Sequence, residues 1–223
     1  SNPEDNIYLS EGRVAWLRSL PEPEGPVQKL SRQIELAKEL LQAGESEEAA
    51  DLFQTVRSQA GSYRLHTRPS LEEMIALSYL RLGEQQNCID GHNLASCLLP
   101  IAAEGVHKEQ RGSRSAIHYY REVLQNKPYD LISRWLFNIA YMTVGEYPDN
   151  VPERWLISPD VFDSEYDIGR YPDRAPALGL DALGLAGGGI MEDFDNDGFL
   201  DIMASSWGSR DQLRYFRNQG DGT

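Results

Sequence analysis

Nine residues near the end of the chain, Asp193-Phe194-Asp195-Asn196-Asp197-Gly198-Phe199-Leu200-Asp201, have the types and spacing to hold a hard divalent cation. Packed within one turn, their carboxylates repel one another, and an ion that takes oxygens from several of them removes that repulsion. Asp193, Asp195 and Asp197 stand at positions one, three and five of such a loop. Gly198 permits the sharp bend, the Phe199 carbonyl falls at position seven, and Asp201 closes the cage at position nine. The ion expected from this oxygen-only donor set is calcium. An EF-hand would need a Glu at position twelve and a helix on either side. Position twelve is Ala204, and the stretch from Leu200 to Trp207 has the mixed apolar and small-residue character of a half-buried strand. The alternative is a solvated acidic turn with no ion.

Elements that could position this loop surround it. Residues 189–194, 200–206 and 213–217 read as three strands, and Asn218-Gln219-Gly220-Asp221-Gly222 follows as a tight turn. Gly187-Gly188-Gly189 precedes no Lys and opens no helix, so it is not a phosphate loop. It is expected to let backbone approach closely at a strand start. Before it, residues 146–186 carry Pro148, Pro152, Pro159, Pro172 and Pro176, which exclude long helices. Tyr147, Trp155, Phe162, Tyr166 and Tyr171 are interspersed, too many aromatics for a disordered linker. This connector is expected to lie against a surface.

The first two thirds of the chain are helical in pattern. Residues 6–20 form a leading helix, stopped by Pro21-Glu22-Pro23. From Val27, Leu30, Ile34, Ala37, Leu40 and Leu41 line one helix, Gly44 breaks it, and Ala49, Leu52, Phe53 and Val56 line the next. Small side chains at Ala37 and Ala49 let two helices approach, and Phe53 packs beyond them. The pattern returns at 71–82, at 113–125 and at 131–143, with residues 86–112 inserted between the first two of these. In this spacing the small and large residues resemble those of a tetratricopeptide repeat. Such a helical solenoid would leave a face open to a protein partner.

The insertion holds Cys88, His92, Cys97 and His107. The regular two-residue spacing of a structural zinc site is absent, which leaves a transition-metal site or a loop whose histidines hydrogen-bond locally, braced by a Cys88–Cys97 disulfide in an oxidising compartment or carrying two small, partly buried thiols in a reducing one. His66 and His118 read as structural. Lys and Arg number 21 against 35 Asp and Glu, a net charge of −14, with no basic stripe, so nucleic acid is not an expected partner. No apolar run approaches the ~20 residues that span a bilayer, and Ser1-Asn2-Pro3 reads as a processed or engineered start. Weak calcium loops fill only outside the cytoplasm, so an extracytoplasmic location, whether periplasmic, surface or secreted, is expected.

Taken together, Gly-Gly-Gly-Ile-Met-Glu-Asp-Phe-Asp-Asn-Asp-Gly-Phe-Leu-Asp-Ile and Tyr-Phe-Arg-Asn-Gln-Gly-Asp-Gly-Thr resemble one blade of an FG-GAP or VCBS-type β-propeller. The order of helical repeats, Glu146-Tyr147-Pro148, Ser164-Glu165-Tyr166-Asp167-Ile168 and then the blade is similar to the CRTAC, or ASPIC/UnbV-type, bacterial proteins. This resemblance implies a mainly α chain: a leading helix and linker (1–26), a tetratricopeptide-like domain (27–145), a connector (146–186) and a first propeller blade (187–223). It also implies calcium-ligand roles for Asp193, Asp195, Asp197 and Asp201, with a carbonyl from Phe199. A lone blade has two exposed sheet edges, so the chain is expected to be a fragment of a longer protein.

Three functions compete. The first is a scaffold in which a helical groove binds a protein partner and calcium stabilises the propeller. The second is an exported enzyme or metalloprotein subunit, its site in the remaining propeller or in residues 86–112. The sequence offers it no nucleophile elbow, no metalloprotease helix and no paired catalytic carboxylates outside the acidic loop. The third is a subunit of a larger envelope assembly.

Overall fold

The computed structural model describes residues 6, 8–63, 69–89, 95–96, 98–166, 169, 171–182, 184, 186–206, 208 and 211–221. The chain divides into two units, Ser1–Ser164 and Glu165–Thr223. The first is helical and the second carries a small antiparallel sheet. The division falls inside the segment expected to act as one connector.

Among the described residues, six α-helices build the first unit: α1 (Ser10–Ser19), α2 (Pro26–Gln42), α3 (Ser46–Gln59), α4 (Leu71–Glu84), α5 (Arg111–Asn126) and α6 (Leu131–Thr143). The leading helix begins later than the apolar spacing suggests. The Asn6 side chain accepts the Tyr8 N–H at 3.0 Å, a local turn that competes with helix formation. Pro26 opens α2, and Gly44 turns out of it at φ +90°, a conformation that costs glycine nothing. A capping box starts α4: Ser70 Oγ accepts the Glu73 N–H, and the Glu73 carboxylate accepts the Ser70 N–H. At α6 the Asp130 side chain accepts the Ser133 N–H at 2.7 Å.

The substantial helix–helix contacts all join neighbours in sequence, α1 with α2 through to α5 with α6. Ala37, Ala49 and Phe53 are fully buried in a first core cluster with Leu40, Val56 and Ile75. A second cluster gathers Leu80, Ala116, Tyr120, Phe137, Tyr141 and Trp155. Tyr79 and Tyr119, stacked at 5.9 Å, pack against both and make the apolar interior continuous.

The end of α4 also departs from the sequence reading. Rather than stopping at Leu82, α4 continues to Glu84 and passes into a π-helical turn, Gln85–Ile89. Gly83 therefore lies in the helix, where it permits a close crossing. A Cβ on Gly112 would sit 2.5 Å from the Gly83 nitrogen and 2.6 Å from the Tyr79 carbonyl oxygen, so α4 and α5 meet backbone against backbone.

After α6 the Pro-rich chain packs onto the helices. Trp155, 2 % exposed, meets Phe137 edge to face. The buried Asn138 amide donates to the Trp155 carbonyl at 2.9 Å and accepts the Ile157 N–H at 3.0 Å. The Arg134 guanidinium donates to the carbonyls of Trp155 and Leu156. Aromatic spacing and proline together thus make an ordered strap.

In the second unit β1 (Ala186–Glu192), β2 (Asp201–Ser206) and β3 (Arg214–Phe216) form a sheet in that order, antiparallel throughout. Glu192 pairs with Asp201, which fixes the eight intervening residues as the β1–β2 connection. A Cβ on Gly187 would lie 2.2 Å from the Ser205 carbonyl oxygen, whereas at Gly189 the nearest atom is 3.9 Å away. Of the glycine run, the first needs to be glycine for that approach. Ile190 and Met191, on opposite faces of β1, are 61 % and 62 % exposed.

Candidate metal centre

The acidic stretch lies where β1 turns into β2. Asn196 at φ +62° and Gly198 at φ +93° reverse the chain, so that Asp193, Asp195 and Asp197 come round to one side. One carboxylate oxygen of each lies within 4.8 Å of the others. The backbone orders these side chains. Asp193 Oδ1 accepts the Asp197 N–H at 3.0 Å and its Oδ2 accepts the Gly198 N–H at 2.9 Å. Asp195 Oδ1 shares the Asp197 N–H, and Asp197 Oδ1 accepts the Phe199 N–H at 3.0 Å.

Among the described residues, the Arg217 guanidinium meets the cluster. Arg217 Nε stands 2.5 Å from Asp195 Oδ2 and its Nη2 stands 3.1 Å from Asp197 Oδ2. Hydrogen bonding to Asp197 and the charge of Asp195 raise its pKa above the ordinary arginine value. Its side chain is half exposed, so it can leave the carboxylates for water.

Asp201 stands apart from this trio. It is fully buried, and its oxygens are bonded on three sides. Oδ2 accepts the Tyr215 hydroxyl at 2.7 Å and the Phe194 N–H at 3.3 Å, and Oδ1 accepts the Asn218 N–H at 2.8 Å. The Tyr215 hydroxyl first, and then the Asn218 N–H, hold the Asp201 carboxyl below the usual carboxylate range. The same bond pushes the Tyr215 phenol up to about 12. Asp201 thus ties the start of β2 to the end of β3 and to the turn that follows. Gly220 closes that turn against the Phe199 ring, where a Cβ would lie 2.6 Å from a ring carbon.

Three of the four predicted carboxylates therefore come together, and the fourth is a bracket between strands. The alternation of aspartates is the signal for the trio. Nothing in the spacing distinguishes a ninth-position ligand from a buried acceptor, and the bracketing roles of Tyr215 and Asn218 and the cation at Arg217 went unread. Oxygen donors of this kind suit a hard cation, and each carboxylate of the trio keeps lone pairs beyond those its N–H bonds use. The residues fit calcium, provided Arg217 swings aside.

Of the other residues singled out by sequence, His107 is buried and His118 lies on the outer face of α5, 3.5 Å from Glu122. Cys97, His92 and His66 lie outside the described residues, so the expected Cys88–Cys97 bridge does too. Among the described residues, no helix is long and apolar enough to cross a membrane. Comparisons with protein-family models, with curated proteins and with solved structures found no match.

Proposed function

We propose that this chain is a calcium-stabilised scaffold, a tetratricopeptide-like helical repeat that receives a protein segment, joined to a blade of an FG-GAP/VCBS-type β-propeller. The observation that carries the reading is the convergence of Asp193, Asp195 and Asp197 oxygens on one point at a strand-to-strand turn. Calcium there has a structural task. It offsets two of the trio's three negative charges, releases Arg217 and fixes the turn that sets the register of β1 on β2.

Two further features support the architecture. Helices that pack mainly on their sequence neighbours are the mark of a solenoid, in which each repeat buries its face on the next. A sheet with apolar residues exposed on both faces, and an apolar cleft of about 590 Å³ between Leu178, Met191, Ile202 and Tyr215, has the surfaces that neighbouring blades would cover. The protein segment would meet the polar seam of α3, α4 and α5, where Gln54 bridges the hydroxyls of Tyr79 and Tyr119 beside Arg57. An extracytoplasmic setting, within an envelope assembly or free, supplies the calcium concentration that such a loop needs.

Isothermal titration of the chain with calcium tests this. One site per chain is expected, with a Kd of about 10⁻⁴–10⁻³ M, the range of extracellular calcium modules. Absence of uptake at millimolar calcium, or uptake unchanged in Asp195→Ala, would overturn it.

A further inference from the structure

A recess in the sheet unit shares one side chain with the acidic loop. Met191 pairs with Ile202, and Ile202 pairs with Phe216, so the three stand in a row on one face of the sheet. Before β1 comes the 3-10 turn Pro176–Leu178, and the Leu180 N–H closes it by donating to the Ala175 carbonyl at 2.8 Å. Leu178 and Leu180 wall the same cleft, of about 590 Å³, as this row does. All of its lining residues belong to the one unit, so the recess exists before any neighbour covers it.

Among the described residues that line the cleft, Arg217 alone is charged. It is the same guanidinium that Asp195 and Asp197 hold. One side chain thus belongs to both places, and whatever draws it towards one withdraws it from the other. Without an ion, moving Arg217 to the cleft leaves three carboxylates uncompensated. With calcium bound, the trio, the ion and the guanidinium together carry no net charge, and Arg217 is free to face the recess. A mostly apolar cavity of this size with one orienting charge suits a ligand that has an apolar body and a single anionic head.

We infer that this cleft binds an amphipathic carboxylate, its tail against Met191, Ile202 and Phe216 and its head group on Arg217, and that calcium gates the binding by releasing Arg217. The site goes beyond the structural task given to calcium above, and the gating rests on that reading. By linkage, the carboxylate raises calcium affinity by the same factor as calcium raises the affinity for the carboxylate. An uncharged head group gains nothing from calcium. Each further methylene that the recess accommodates tightens binding roughly fourfold.

The test titrates the chain by calorimetry, first with calcium alone, then with octanoate in millimolar calcium and again in EDTA, with octanol as the uncharged counterpart. Octanoate is expected to bind at least about fivefold more tightly with calcium than without, the lower end of the usual coupling between sites, and to tighten calcium by the same factor. Octanol shows no such dependence. Arg217→Gln still takes up calcium but loses the coupling. Met191→Ser weakens octanoate, and its retained calcium uptake reports an intact loop. Calcium uptake without octanoate binding, or with octanoate binding equal in calcium and in EDTA, overturns the inference and leaves the calcium reading standing. So does coupling that survives in Arg217→Gln. Failure to take up calcium in the first titration overturns the calcium reading itself, and the gating with it.

Discussion

Asp201 and the three aspartates before it share a charge and a stretch of sequence, yet their surroundings give them different work. Asp201 spends its oxygens on Tyr215, Phe194 and Asn218, whereas the trio holds oxygens around a common point with Arg217 as counter-charge. Replacing Tyr215 by Phe removes the hydroxyl bond to a buried carboxylate, so the sheet should unfold at lower temperature with calcium uptake retained, as followed by near-ultraviolet circular dichroism and titration. Arg217→Gln should do the opposite to the ion. It removes the competing cation and raises calcium affinity roughly threefold to tenfold, the scale of a pair of surface ion pairs lost to the competitor. An unchanged Kd in Arg217→Gln would show that the guanidinium and the ion do not share the site.

At the level of elements, the close crossing of α4 and α5 is the feature most sensitive to single atoms. Gly112→Ala forces a Cβ against the backbone of Gly83 and Tyr79 and should cost about 1–3 kcal/mol in urea unfolding. Gly189→Ala, in open space on β1, serves as the mild control. Trp155→Ala should cost about 3–5 kcal/mol, since the indole fills the second core cluster against Phe137. The helices themselves were legible from the spacing of their apolar residues and the breaks at Pro21-Glu22-Pro23 and Gly44, while the starts set by Pro26, the Ser70–Glu73 box and Asp130 went unread. The π-helical turn was not. It exists because Asn87 finds its partners in residues 83 and 108–109, and partners twenty residues apart leave no periodic trace. Cys88 and His107 were singled out, but the contacts of His107 with Ser113 and of Ser113 with Thr143 were not legible, because they join a loop to two helices that only the packing of α5 and α6 brings together.

On the scale of the whole chain, the buried apolar clusters among the described residues belong to the helical unit, whereas the sheet unit is held by its strand ladder and the buried Asp201, so separate responses to pH and to calcium should follow. Burial lowers the His107 pKa below its ordinary 6.5, so the unfolded helical unit binds the proton more readily. The contribution is complete above about pH 6.5 and is lost as pH falls through the lower folded value. Urea midpoints of the helical unit should therefore decline between pH 7.5 and pH 5, and His107→Gln should flatten that slope. Asp201, held below the carboxylate range, contributes to the sheet unit above about pH 4, and its contribution is lost in stronger acid. Calcium should act on the sheet unit alone. Scanning calorimetry of the chain with and without millimolar calcium is the most direct test of the central claim. The sheet transition should move up by several degrees with calcium while the helical transition stays in place, and Asp195→Ala should abolish the shift. Two transitions equally indifferent to calcium would contradict the account.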